Sequence, residues 1–275
     1  LISLCVSSVR DKEEFKVYLE EQIPGFDLVR RYTSVSSTMD VARQLIEELP
    51  AGRGDFRGVI VADEQTAGRG RQGRSWLSGA GAFMATFILS SRAPLAALSG
   101  YSLCVGLGVA WALEAIGVKI KLKWPNDLVF AAPSGEIRKL GGILIEVQEV
   151  GPERYILVGL GINVNPAPEG VRDIAISLSE LGVLGCKASE LTEPLACSIS
   201  KAHDIFVTSG GFAGIKSDWS SRSCFTEDKT ELALDLGDGK VISGTYMGVA
   251  DSGALLLTHD GKVQSVVSGH ILSVT

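Results

Sequence analysis

The chain has 275 residues, 45% of them hydrophobic and 21% charged, which excludes disorder or a fibrous repeat as its general state. Its net charge of −6 excludes a protein that works mainly by coating nucleic acid, since that needs a surplus of Lys and Arg. From Phe225 onward three lysines stand against seven acids, which gives −4 and leaves −2 for residues 1 to 224, so neither part is a basic module.

In chain order, the composition of Asp11 to Glu21 predicts a helix, and Phe26 to Tyr32 a strand after a turn at Gly25. Val41, Ala42, Leu45, Ile46 and Leu49 keep helical spacing, so Met39 to Leu49 is an expected helix with Ser37 or Thr38 as its N-cap. Val59 to Ala62 and Phe83 to Leu89 read as buried strands. The loop between them, Asp63 to Ala82, is longer and richer in Gly, Ser and Arg than a connection requires. Ala93 to Leu113 carries no charge over 21 residues, enough to span a bilayer by hydropathy alone. Its Pro94, Ser99, Gly100, Gly106 and Gly108, and its isolation, favour a central helix of a soluble fold over Pro94 to Gly117. No secretory signal is expected, because Leu1 to Val9 runs into Arg10, Asp11, Lys12, Glu13 and Glu14.

Four further strands are expected at Ile120 to Lys123, Leu128 to Phe130, Leu140 to Val147 and Tyr155 to Val164. The last three are joined by tight turns that imply antiparallel hairpins and a mixed sheet. Helices are expected over Ile174 to Leu181, Ala188 to Val207 and Phe212 to Ser220. Beyond residue 225, Leu232 to Leu236, Val241 to Val249, Ala254 to Thr258 and Val263 to Val267 are short strands separated by Asp-Gly and Ser-Gly pairs, as in a small β barrel. The expected class is α+β, a mixed and largely antiparallel sheet flanked by helices over residues 1–224, with an all-β domain over 225–275.

Five cysteines, Cys5, Cys104, Cys186, Cys197 and Cys224, form no C-x-x-C pair and read as buried or inert thiols of a reducing compartment, hence a cytoplasmic protein. His203, His259 and His270 are scattered, which supports neither a zinc site nor a Ser-His-Asp hydrolase.

Four clusters carry the chemistry. In Asp63 to Trp76, Gly68, Gly70 and Gly73 satisfy G-x-G-x-x-G, but Ser75, Ser78, Gly79 and Gly81 make a poor helix opening, so the dinucleotide reading fails; no P-loop pattern exists either. Arg69, Arg71 and Arg74 sit among those glycines with no acid from Ala67 to Ser75, an arrangement suited to an anionic ligand held by charge-assisted bonds of about 1.5–3 kcal/mol each. A second cluster, Lys121 and Lys123 to Asp127, presents Asn126 and Asp127 at a strand end. Asp127 is a candidate for Mg²⁺ held through water, or simply part of an Asx-turn. In the third, Arg138 and Lys139 enter a strand through Gly141 and Gly142; Lys139 is either a solvated edge charge or a cation aimed into a site. In the fourth, Gly159 and Gly161, before Asn163 and Asn165, keep one strand face bare for a flat ligand or another backbone.

The ordered set G-R-G-R-Q-G-R-x-W (68 to 76), K-W-P-N-D (123 to 127), R-K-L-G-G-I-L-I-E (138 to 146) and G-L-G-I-N-V-N (159 to 165) resembles the biotin protein ligases. The likeness covers about residues 26 to 275. It implies a biotin/lipoate ligase-like catalytic domain with a C-terminal SH3-like barrel, and a two-step reaction. Biotin and MgATP give biotinyl-5′-AMP and pyrophosphate, and a lysine of a biotin carboxyl carrier protein then attacks the mixed anhydride.

By the same resemblance Ser37, Thr38 and Gln65 match positions that bond the biotin rings, Gly68 and Arg69 the loop closing on them, and Gly141 and Gly142 the strand lying against biotin. Arg71 and Arg74 match arginines that face phosphate, Trp76 an aromatic near the adenylate, and Lys139 the lysine reaching both carboxylate and α-phosphate. Asn126 and Asn163 match polar residues around the nucleotide, and Asp127 a metal-side acid. Met39 departs from the Asn common at its position. Only 36 residues precede Ser37, short for a winged helix-turn-helix, so a ligase without DNA-binding activity is expected, monomeric or homodimeric, with no nucleic-acid or membrane partner. The alternatives are a lipoate or other acyl-adenylate ligase, and an inactive biotin sensor of the same fold.

Overall fold

The computed structural model describes residues 17–50, 53–237 and 239–275; Cys5 and residues 11–16 of the expected first helix lie outside them. Residues 17–21 are not helical. They form strand β1 (Val17–Glu21), antiparallel to β2 (Leu28–Val35). Cross-strand ion pairs explain the difference, since Glu20 meets Arg30 at 2.8 Å and Glu21 meets the buried Arg31 at 3.0 Å. The helix α1 (Thr38–Glu47) starts where the sequence places it, with the Ser37 hydroxyl accepting the Met39 N–H at 3.3 Å.

The main sheet continues through β3 (Arg57–Gln65), β4 (Phe83–Ser91), β5 (Lys121–Lys123), β6 (Asp127–Ala131), β7 (Ile137–Val150) and β8 (Glu153–Ile162). Its eight strands lie in the order β1-β2-β3-β4-β8-β7-β6-β5, and only β2 and β3 run parallel. Both faces are buried, and the alternation of each strand divides its residues between them. On β3, Val59 and Val61 enter the larger core while Ile60 and Ala62 enter the one under α1. On β8, Val158 and Leu160 point to the larger core while Tyr155 and Leu157 point to α1, so Gly159 and Gly161 stand on the α1 face.

The larger core holds α2 (Tyr101–Ala115) and α3 (Thr192–Thr208). The uncharged run thus becomes a helix buried on nearly every side, as its uniform apolarity requires. It starts later than expected, because Leu95–Leu98 is a separate 3-10 turn and Gly100 takes a left-handed conformation at φ 76°. Gly108 lets α3 approach closely: a Cβ there would lie 3.0 Å from the Ile199 Cα. No helix among the described residues is long and apolar enough to cross a membrane. Of the described cysteines, all free, Cys104 is buried, Cys186 and Cys224 are half-buried, and Cys197 is exposed.

No helix forms over 174–181. Ile176 N–H bonds to the Lys139 carbonyl at 2.9 Å, Lys139 N–H to Ile174 at 2.8 Å and Leu178 N–H to Asn163 at 2.9 Å, so this backbone pairs with the sheet rather than with itself. The expected helix over 212–220 is split into a 3-10 turn, Phe212–Gly214, and the short α4 (Lys216–Ser221).

The C-terminal strands β9 (Glu231–Asp235), β10 (Val241–Val249), β11 (Leu255–His259), β12 (Lys262–Val266) and β13 (His270–Val274) make a separate antiparallel, SH3-like sheet in the order β12-β11-β10-β9-β13. The strand β13 has no expected counterpart in the sequence reading. Leu234, Tyr246 and Leu255 belong to the same apolar core as α2, and the buried Trp124 indole donates to the Gly253 carbonyl at 3.0 Å. These contacts hold the small sheet against one end of the large one.

Candidate active site

A cleft opens on the α1 face of the large sheet, between the N-terminus of α1, the 63–82 loop, the turn at Lys123 to Asp127, and the start of β13. At its α1 end a chain of hydrogen bonds fixes the polar groups. The fully buried Thr86 hydroxyl donates to Thr38 Oγ1 at 2.8 Å, and Thr38 donates to Gln65 Oε1 through its backbone N–H at 2.8 Å and its hydroxyl at 3.2 Å. With Oε1 engaged, the amide Nε2 of Gln65 is the end left to donate to a ligand.

The glycine face of the sheet is roofed by side chains of this chain itself. A Cβ at Gly159 would lie 3.1 Å from the Met39 sulfur, one at Gly161 2.7 Å from two atoms of the Trp76 indole, and one at Gly142 3.4 Å from the same ring. The flat group that the bare face admits is thus, in part, Trp76. Its indole Nε1 is buried without a hydrogen-bond partner.

Lys139 reaches this face through a bulge. Leu128 pairs with Gly141 and Val129 with Lys139, which leaves Leu140 unpaired and turns Lys139 to the same side as Gly142. Its ammonium lies 2.5 Å from Asp127 and 5.7 Å from the Trp76 ring centre.

The three loop arginines divide. Arg69 grips Asp40, in the first turn of α1, through two bonds of 3.1 and 2.8 Å. Arg71 donates to Asn126 Oδ1 at 3.3 Å and to Ser268 at 3.1 Å, and Arg74 meets the His270 ring at 3.3 Å. Burial lowers the Arg71 pKa, with Asp127 opposing the shift and Arg74 adding to it. Asn126 is itself fixed, its Nδ2 donating to the Ile143 carbonyl at 2.7 Å.

Residues 32–163 match the model of the biotin/lipoate A/B protein ligase family. The chain is 30% identical over 276 residues to the bifunctional ligase/repressor BirA of Bacillus subtilis (strain 168), covering 94% of this chain and 78% of that one. The chain belongs to the biotin protein ligases. It is also 29% identical over 253 residues to the biotin–[acetyl-CoA-carboxylase] ligase of Mycobacterium tuberculosis, covering 88% of this chain and 89% of the relative. A solved biotin protein ligase from Aquifex aeolicus, in complex with biotin and ATP, superimposes with a TM-score of 0.72 at 30% identity, covering 91% of this chain and 99% of that one.

Within this biotin protein ligase, Ser37, Thr38, Gln65, Arg69, Arg71, Arg74, Trp76, Asn126, Asp127, Lys139 and Gly142 all line the cleft. Three expected residues lie elsewhere. Asn163 is buried behind β7, its Nδ2 donating to the carbonyls of Ile176 at 3.1 Å and Lys139 at 3.4 Å. Gly141 faces β8, where a Cβ would lie 2.5 Å from the Gly161 carbonyl oxygen, and Gly68 packs under the loop with its carbonyl accepting the Trp76 N–H at 3.0 Å.

The sequence reading misses Asp40, Thr86, Ser268 and His270. Thr86 had a faint signal, a lone hydroxyl inside the apolar run Phe83 to Leu89. His270 had none, for it reaches the cleft only because the C-terminal sheet docks there.

Proposed function

We propose that the chain activates biotin with ATP to biotinyl-5′-AMP and then transfers biotin to a lysine of a biotin carboxyl carrier protein in the cytoplasm. One observation carries this reading. Lys139 stands at the junction of a polar, hydrogen-bonding pocket (Ser37, Thr38, Gln65) and a cationic end (Arg71, Arg74), the place where a carboxylate and an α-phosphate would meet.

In the first step a biotin carboxylate oxygen attacks the α-phosphorus, the bond to the bridging oxygen of the β-phosphate breaks, and pyrophosphate leaves. In the second, the acceptor lysine attacks the acyl carbon, an amide forms, AMP leaves, and the amine proton is lost. Both reactants of the first step are anions, so positioning and charge compensation dominate its barrier. Arg71 and Arg74 compensate the phosphates, and Lys139 bridges carboxylate and α-phosphate. Gln65 and Thr38 orient the ring system, and no protein nucleophile is required.

Among the described residues no three His, Cys, Asp or Glu side chains converge as a metal cage, and Asp127 is engaged by Lys139. A single carboxylate beside cations suits Mg²⁺ that arrives on the nucleotide and keeps most of its water, and so enters as part of the substrate. The 225–275 segment is read as a second domain that walls the nucleotide end.

Pyrophosphate exchange in the presence of MgATP tests the reading. Exchange driven by biotin and not by lipoate is expected. Exchange with lipoate alone would move the substrate to that acid, and exchange with neither would favour a sensor.

A further inference from the structure

The two arginines aimed at the nucleotide are held by groups from the far end of the chain, and those groups are uncharged. Arg71 donates to the Ser268 hydroxyl at 3.1 Å and Arg74 lies 3.3 Å from the His270 ring nitrogens, while Arg69 in the same loop is paired to a carboxylate. Gly269 between them is buried and lines the same cleft. We propose that Ser268 and His270 are positioning residues for adenylation, which hold the guanidinium groups of Arg71 and Arg74 in place while leaving their charge for the phosphates. This inference rests on the ligase reading of the site.

The physical argument turns on the kind of acceptor. The cleft gathers Arg69, Arg71, Arg74, Lys123 and Lys139 against one lining carboxylate, Asp127, and with Arg69 paired to Asp40 outside the lining the remaining cations repel one another. A carboxylate partner would hold an arginine more strongly but would also neutralise it and compete with phosphate. A hydroxyl or neutral imidazole supplies a hydrogen bond and fixes the fork, while the guanidinium keeps its charge and its remaining N–H donors for an anion. Ser268 is the more exposed of the two, so His270 carries the larger share.

Imidazole can accept from Arg74 only when neutral. Burial lowers the His270 pKa most, and Arg74 and Lys123 lower it further, against the opposing pull of Asp127 and Asp235. This shift favours the neutral ring, the form that can accept from Arg74. As pH falls below its depressed pKa it gains a charge, loses its acceptor and repels Arg74.

The test measures full-length wild type, His270→Ala, His270→Gln and Ser268→Ala by pyrophosphate exchange and by calorimetry with biotin and with MgATP separately. His270→Ala is expected to raise KM and Kd for MgATP roughly 5- to 10-fold, as for one partly exposed hydrogen bond to a charged group, with biotin affinity unchanged. Ser268→Ala should show the same pattern more weakly. His270→Gln, which keeps a neutral acceptor, should recover most of the loss and lack the acid limb that the proposal expects of wild type in kcat/KM for ATP. Unchanged MgATP affinity and an unchanged pH profile in His270→Ala would overturn the proposal, as would equal losses in biotin and MgATP affinity, which indicate a general collapse of the small sheet. Failure of wild type to exchange with biotin would overturn the ligase reading, and MgATP calorimetry on the same variants would still decide the role of His270.

Discussion

Arg69 and Asp40 face each other with two hydrogen bonds, at 3.1 and 2.8 Å, and so tie the Gly/Arg loop to the first turn of α1. Asp40 also meets Arg43, which reaches Glu146 on β7 at 2.7 Å, so the latch is anchored in the sheet. Burial alone would raise the Asp40 pKa, but bonding and charge from Arg69, then from Arg43, outweigh it and hold the carboxyl below its usual value. The depressed value means that the latch is fully formed above the ordinary carboxylate range and is lost only as pH falls through the lowered pKa.

Breaking this latch should loosen the cover on a bound adenylate. The pair is partly exposed, so its worth is about 1 kcal/mol, or about fivefold. We expect Asp40→Asn to speed release of preformed biotinyl-5′-AMP by that factor, read by rapid gel filtration, with adenylation itself little changed. Retention equal to wild type would show that the loop is held by other contacts.

On the proposed reading the Lys139 ammonium, 2.5 Å from Asp127, bridges the two reacting anions. Its replacement by Ala should lower the adenylation rate by about 10²–10³, comparable to removing one preorganised donor from an oxyanion site. The melting temperature should stay close to wild type, because the Lys139 side chain is 39% exposed. Near-normal single-turnover adenylation by Lys139→Ala would remove it from the chemistry.

Much of this site was legible because its parts are local. The Gly/Arg loop, Lys123 to Asp127 and the Gly-Gly strand each announce themselves by residue type within a few positions. The Ser37 cap follows from the same local chemistry. What escaped depends on pairing at long range. Residues 17–21 are a strand because of Arg30 and Arg31, residues 174–178 stay extended because Lys139 and Asn163 take their hydrogen bonds, and His270 enters the site from 196 positions beyond Arg74. No short window of sequence contains the partners of residues 174–178 or of His270, and those of residues 17–21 stand ten positions away on the next strand. The bare glycine face suggests a flat ligand or another backbone, and the group that covers part of it, the Trp76 indole of the same chain, could be found only in three dimensions.

Thr86 offers a test confined to the biotin end. Its buried hydroxyl donates to Thr38, and Thr38 in turn donates to Gln65, so one group fixes the direction of two others. Thr86→Val keeps the shape and removes the donor. The loss of one buried hydrogen bond costs about 1 kcal/mol, so biotin affinity should fall roughly fivefold with MgATP affinity unchanged, as measured by calorimetry. Equal weakening of both ligands would mean that Thr86 supports the sheet and not the orientation of Gln65.

The contact between Gly161 and Trp76 can be tested by adding one methyl group. In Gly161→Ala the new carbon would meet the indole at 2.7 Å, inside any normal contact, and the strand cannot retreat because Gly161 is paired to both Met84 and Gly142. The ring must therefore shift, and the loop with it. Overpacking of this kind costs about 1–3 kcal/mol, here drawn from ligand binding because Trp76 lies in the cleft and not in the core. We expect altered tryptophan emission in the free protein and roughly tenfold weaker ligand binding. Trp76→Ala removes the clash together with the ring, so the double variant should lose no more than Trp76→Ala alone. Additive losses would show that the alanine acts on the sheet itself and that Trp76 is not the group covering the glycine face.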